Sequence, residues 1–308
     1  MSSPRRARRG LAVTLALAVL PLAACGTTPT DEDDGRLRVA ASFYPLQFVA
    51  QQVGADLVDV SSLTPPGAEP HDLELSPRQV NELRDVGLVV YLAGFQPAVD
   101  DAVASTSPAH VVDAAQVTPL VPFADEHVEE ADGHDDHGTL DPHFWLDPTL
   151  LVPVADAVAQ QLSEIDPDHA DDYAANSAAL TQRLGDLDAD YAQGLATCEQ
   201  RVFVTSHTAF GYLADRYDLE EVGISGIDPD AEPSPARLVE IRDVVAQEGV
   251  STIFFETLVS PKVAQTFASD LGIEAAVLDP IEGVTGDQTY LSVAESNLDA
   301  LRTALVCA

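Results

Sequence analysis

Basic residues are scarce in this chain: 15 lysines and arginines stand against 51 aspartates and glutamates in 308 residues. A surface this acidic repels nucleic acid and anionic lipid and attracts cations without selectivity. Polynucleotide partners are therefore not expected. Composition alone leaves open whether the acid excess serves solubility, salt tolerance or function. Catalytic signatures are missing too: there is no HExxH helix, no CxxC pair, no G-x-S-x-G elbow and no P-loop. Ser206 and His207 are adjacent, which should point their side chains apart, so a serine hydrolase is not expected. The chain reads as a non-enzyme. Apolar content of 46% is nevertheless enough for a sizeable core, and the length suits two domains of about 150 residues each.

One long apolar run is present, LAVTLALAVLPLA, and it is too short to span a bilayer. It follows a basic MSSPRRARRG and ends in LAAC, residues 22–25, before a polar stretch. This layout reads as an exported lipoprotein: signal peptide 1–24, lipidation at Cys25 and an acidic tether over 25–36. The arginine pairs admit twin-arginine export as the less favoured route. No other segment could cross a membrane. The protein is thus expected outside the cytoplasm, lipid-anchored to the cell membrane, and monomeric. Two cysteines remain, Cys198 and Cys307. In an oxidising compartment an isolated pair points to a disulfide rather than a metal site or nucleophile.

From residue 37 onward, short apolar runs alternate with helical periodicity. RLRVAAS, VDVSSL and DVGLVVYLAG read as strands, FYPLQFVAQQVGAD as a helix, and SPRQVNELRDV as a helix capped by Ser76 with Pro77 in its first turn. This pattern implies parallel βαβ units and an α/β lobe over 37–147. From 148 to 195 only helical signals occur. VADAVAQQLSEID stops at Asp166-Pro167, and HADDYAANSAALTQRLGDLDADYAQGL is a rod of roughly 40 Å. Alternation resumes in 196–308 with RVFVTS, TAFGYLADRY, STIFFE, SPKVAQTFASDLG, EAAVLD and YLSVAESNLDALRTAL. The expected architecture is two parallel-sheet α/β lobes joined by a long rigid helix.

Histidines are unevenly spread. Four of the eight fall between residues 125 and 143: His127, His134 and His137 in DEHVEEADGHDDHG, and His143 in LDPHFWLDP beside the only tryptophan. The loop 125–138 could collect metal loosely or be a solvated linker. His71 follows VDVSSL, His207 follows RVFVTS and Asp279 ends EAAVLD, all positions where an α/β cleft gathers its ligands. Any one of these histidines alone reads more readily as a hydrogen-bonded structural residue than as a ligand, and Asp279 in LDP could instead cap a turn. The coincidence of three histidines and an acid at cleft positions favours a site. His110 and His169 have no such setting and read as surface or packing residues. Three imidazoles with one carboxylate form a closed four-ligand set suited to Zn²⁺, although imidazole also takes other divalent ions.

GAEPHDLELSPRQV, DPHFWLDP, TSHTAFGYLADRY and VLDPIEG, in this order, resemble the ligand-bearing segments of the metal-binding solute-binding proteins of bacterial ABC transporters for zinc and manganese. The resemblance covers the mature chain. It implies a metal cleft between the lobes, with His71, His143, His207 and Asp279 as ligands, and an ABC importer permease as partner. Histidine rather than glutamate at the third segment, His207, resembles the zinc members, and the histidine-bearing loop does too. Glu69 and Glu256 are reserve acids, placed to replace Asp279 or to support a ligand. The alternatives are a manganese receptor of the same family, and an adhesin whose metal is structural.

Overall fold

The computed structural model describes residues 35–123 and 140–308. The signal segment, Cys25, the tether as far as residue 34, and the loop bearing His127, His134 and His137 lie outside the described residues.

The first lobe is built on β1 (Leu37–Ala41), α1 (Tyr44–Gly54), β2 (Val58–Ser62), α2 (Pro77–Glu82), β3 (Leu88–Tyr91), α3 (Pro97–Thr106), β4 (Val111–Asp113) and the one-turn α4 (Ala114–Val117). Its four strands are parallel, in the order β2-β1-β3-β4. The inner strand β3 is almost continuously apolar and buried, as strands covered on both faces are. Helix α2 starts where its capping chemistry dictates: Ser76 and Gln79 form a reciprocal capping box, and Pro77 supplies a preset φ.

Two helices follow, α5 (Val152–Ile165) and α6 (Ala170–Leu195). At 26 residues, α6 is a rod of about 39 Å. Tyr173, Leu180, Leu184, Leu187, Tyr191 and Leu195 recur at helical spacing along it and are all buried. The second lobe repeats the first: β5 (Val202–Thr205), α7 (Gly211–Arg216), β6 (Glu220–Gly223), α8 (Pro235–Glu248), β7 (Thr252–Phe255), α9 (Lys262–Leu271), β8 (Glu274–Val277) and α10 (Tyr290–Ala304). Its order, β6-β5-β7-β8, is again parallel. Gly249 and Gly272 end α8 and α9 in the left-handed region, where a side chain would be strained.

The two-lobed architecture and the long joining helix match the sequence expectation. Strands β4 and β6 and helices α3 and α8 had not been anticipated. β4 is three residues long, β6 pairs on one side only, and α8 buries just Ile241 and Val245, so each carries little periodic signal. One core runs through both lobes, from Val39 and Leu88 through Leu184 and Tyr191 to Phe203, Phe254 and Leu301. Cys198 and Cys307 are joined in a disulfide, fastening the chain beyond α6 to the end of the second lobe.

Candidate metal centre

Both sheets reverse their winding between the first and third strands, and the crevice beyond that reversal is where α/β sheets take ligands. In the second lobe His207 lies just past β5, and Glu256 just past β7. The His207 loop is pinned on both sides by Glu221 of β6. Its carboxylate accepts from Thr205 Oγ1 at 2.8 Å and from the Ala209 and Phe210 amides at 3.1 and 2.8 Å. Burial pushes the Glu221 carboxyl up to about 7.

His71 stands in the loop between β2 and α2. Gln96 holds that loop through its Nε2, which donates to Thr64 Oγ1 and to the Pro70 carbonyl. The Glu69 carboxylate accepts from the His71 amide at 2.9 Å. His143 precedes a tight helical turn at Phe144–Leu146, and Asp141 holds it twice: Oδ1 lies 2.9 Å from the His143 amide and 2.8 Å from Nδ1.

The fourth partner is Glu282. Its Oε1 lies 3.2 Å from His71 Nε2, 3.3 Å from His143 Nε2 and 4.0 Å from His207 Nε2. Ligand atoms from the four residues all fall within 4.8 Å of one another. In a tetrahedral zinc site with bonds near 2.0 Å, ligand atoms stand about 3.3 Å apart. Two of the three His–Glu distances already match that edge, and the third must close by under an ångström.

Hydrogen bonds on the far side of two of the rings set the chemistry. Nδ1 of His143 faces Asp141 and Nδ1 of His207 faces Glu256, each at 2.8 Å. A neutral ring that donates from Nδ1 presents its lone pair at Nε2. Both of those Nε2 atoms are buried and lack a hydrogen-bond partner. Buried polar atoms are rarely left unpaired, and these converge on one point, so the donor set fits a divalent cation.

Electrostatics agree. Burial works against a charged His143, but the bond to Asp141 and the negative charge of the nearby Glu282 carboxylate outweigh it and push the ring up to about 10. His207 is likewise raised: burial opposes the charge, and Glu256 overcomes it. Glu282 would be raised by burial, yet His143 and His71 hold it well below the usual carboxylate range. Burial, with Glu282 nearby, pushes Glu69 up to about 7.

Asp279, expected as the fourth ligand, is not in the cluster. Its carboxylate caps a turn instead, accepting from the Ile281 amide at 2.7 Å and from Thr257 Oγ1. The turn carries the chain three residues on, to Glu282, within the same VLDPIEG segment. Glu256 lies behind His207, and Glu69 Oε1 lies 4.0 Å from His71 Nε2. Ser206 and His207 do not diverge as expected: both bond Glu256 Oε1. His110 and His169 sit elsewhere, bonded to Gln161 and Asp166.

Comparison with known proteins accords with this arrangement. Residues 39–304 match the family model described as zinc-uptake complex component A, periplasmic. The chain is 35% identical over 306 residues to the high-affinity zinc uptake system protein ZnuA of Bacillus subtilis, covering 95% of this chain and 96% of that one. It is 36% identical over 289 residues to the zinc-binding protein AdcA of Streptococcus pyogenes, covering 87% of this chain but only 56% of that longer protein. Among solved structures, the Zn(II)-bound ZnuA-like domain of Streptococcus pneumoniae AdcA superposes with a TM-score of 0.74 at 33% identity, covering 88% of this chain and 99% of the domain. The laminin-binding protein Lmb of Streptococcus agalactiae, described as bifunctional with adhesin and metal-transporting activity, gives 0.78 at 34% identity, covering 87% and 99%. With its two α/β lobes, its three-histidine, one-glutamate cluster and a match over nearly the whole described chain, this protein belongs to the zinc-uptake complex component A (ZnuA) family of solute-binding proteins.

Proposed function

We propose that the protein is an extracytoplasmic receptor that captures Zn²⁺ in the interlobe cleft and delivers it to the permease of an ABC importer. The observation that carries this reading is the pair of buried, unpartnered Nε2 atoms of His143 and His207, which converge with His71 and Glu282. His71, His143 and His207 supply three neutral nitrogens and Glu282 one charged oxygen. This set suits zinc better than the oxygen-seeking manganese ion. Four protein ligands leave no open position for activating water, so the site holds its ion rather than doing chemistry on it.

Asp141 and Glu256 orient the rings, and Asp279 supports the turn that brings in Glu282. The lipid anchor at Cys25 and a monomeric state belong to the same reading. The family likeness and the LAAC layout support the anchor, and mass spectrometry of the membrane-extracted protein tests it: an acylated Cys25 supports it, an unmodified one refutes it.

Calorimetric titration of metal-stripped protein with Zn²⁺ and Mn²⁺, beside His143→Ala and Glu282→Ala, tests the receptor. One tight zinc site, much weakened in both variants, is the expected result. Weak binding of several ions, unchanged by either substitution, would refute it. Surface adhesion is a second reading, favoured by the likeness to Lmb. Binding to immobilised laminin tests it independently, and no retention there would leave the receptor role alone.

A further inference from the structure

We propose that the turn Asp279-Pro280-Ile281 determines which metal the cleft prefers, by presenting Glu282 through a single carboxylate oxygen. The inference rests on the zinc-receptor reading above.

Ile281 has φ +60° and is 1% exposed. A β-branched residue avoids this left-handed conformation unless its surroundings impose it. Here they do. Asp279 Oδ1 accepts from the Ile281 amide at 2.7 Å. Asn297 of α10 grips the turn's first residue in both directions: its Oδ1 accepts from the Asp279 amide at 2.9 Å, and its Nδ2 donates to the Asp279 carbonyl at 2.6 Å. Trp145 Nε1 donates to the Pro280 carbonyl at 2.7 Å. Trp145 and Asn297 are themselves buried.

These supports tie together three of the four metal-facing residues. Trp145 stands two residues after His143, and its own carbonyl accepts from Tyr290 Oη at 2.6 Å. Thr257 follows Glu256, which holds His207, and Thr257 Oγ1 donates to Asp279 Oδ2. His143, His207 and Glu282 thus lean on the same three-residue turn. Its consequence is visible at Glu282: Oε1 faces all three imidazole Nε2 atoms, while Oε2 is buried and has no partner.

One oxygen and three nitrogens make the four-coordinate shell that zinc favours. Manganese favours a larger, oxygen-rich shell, for which Glu282 would have to rotate and offer both oxygens. A turn locked at four points fixes the backbone from which Glu282 projects, and so limits how far its carboxylate can move to offer both oxygens. Asp279, Trp145 and Asn297 are positioning residues, and what they set is the ratio of zinc to manganese affinity.

The test uses the full chain and its Asp279→Ala, Asp279→Asn and Trp145→Phe variants, titrated with Zn²⁺ and Mn²⁺ against a competing indicator. Backbone amide exchange of the metal-free proteins is recorded alongside. Asp279→Ala should lose about tenfold or more of the zinc preference, the scale on which support behind a ligand acts. Asp279→Asn keeps an acceptor for the Ile281 amide and should retain both the preference and slow exchange at Ile281. Trp145→Phe loses only the N–H to Pro280 and should shift the preference in the same direction as Asp279→Ala. If Asp279→Ala does not fold, Trp145→Phe decides alone. An unchanged zinc-to-manganese ratio in both variants would overturn the proposal, even if both affinities fell in parallel. So would an Asp279→Asn protein as impaired as Asp279→Ala. A wild-type protein without a single zinc site would overturn the receptor reading, and this one with it.

Discussion

His143 shows how much a single residue's surroundings decide. Its ring is held near 10 by Asp141 and Glu282 against the cost of burial, well above the ordinary value of 6.5. The protonated ring therefore stabilises the metal-free fold, fully below pH 6.5, and this contribution is lost as pH rises through about 10. Glu282 works in the opposite sense. Held low, it contributes stability above the ordinary carboxylate range, which is lost only as pH falls through its depressed value. At neutral pH the His143 ring of the metal-free protein thus keeps its proton, and a metal must displace it. Zinc binding near pH 7.5 is expected to release at least one proton, and affinity should fall as pH drops. Calorimetry in buffers of different ionisation enthalpy measures this directly; a heat independent of buffer would rule it out. Removing a ring's support should matter as well. Glu256→Ala leaves His207 without its Nδ1 partner and should cost about 10- to 100-fold in zinc affinity by competition titration. Affinity within twofold of wild type would mean that Glu256 does not orient the ring.

At the scale of elements, α6 makes the lobes one body. Its buried stripe packs on α1 in the first lobe, on the neighbouring α5 and on α10 in the second lobe. Asn176 Nδ2 donates to the Val53 carbonyl and Tyr191 Oη to the Ala294 carbonyl, so each lobe also has a polar tie to the rod. Leu184, 0% exposed near the middle of the stripe, should be a costly residue to truncate. Leu184→Ala should destabilise the fold by about 2–5 kcal/mol, because the surrounding core relaxes only partly into the cavity left behind. Urea unfolding measures the loss, and a single cooperative transition is expected to remain. The helix was legible in the sequence because its apolar residues repeat over 26 positions. β4 and β6 were not, because three or four residues at or beside a sheet edge carry too little alternation.

For the whole molecule, a continuous core through both lobes argues against a wide hinge. Solution scattering curves of metal-free and zinc-loaded protein should nearly superpose, with only small loop or lobe shifts; a large change in radius of gyration would contradict this. The Cys198–Cys307 bridge closes a loop across nearly the entire second lobe, with a sequence separation of 109. Restricting so long a segment in the unfolded chain stabilises the fold by about 2–5 kcal/mol. Cys307→Ser should lower the denaturant midpoint accordingly while leaving zinc affinity almost unchanged, since neither cysteine belongs to the metal cluster.

Local pattern by itself determined the parallel α/β lobes, the long joining helix and the histidine positions His71, His143 and His207. Period, caps and strand ends are properties of short stretches, and short stretches can be read. Tertiary structure alone decided the fourth member. Asp279 and Glu282 lie three residues apart in one segment, both acidic and both beyond β8. The choice between them follows from a turn with a left-handed Ile281, in which Asn297 from α10 holds the Asp279 backbone and Trp145 from the His143 segment holds the Pro280 carbonyl. Those partners are 18 and 135 residues from the atoms they hold. No local rule carries that distance: which carboxylate faces the cleft depends on contacts that exist only once both lobes have packed.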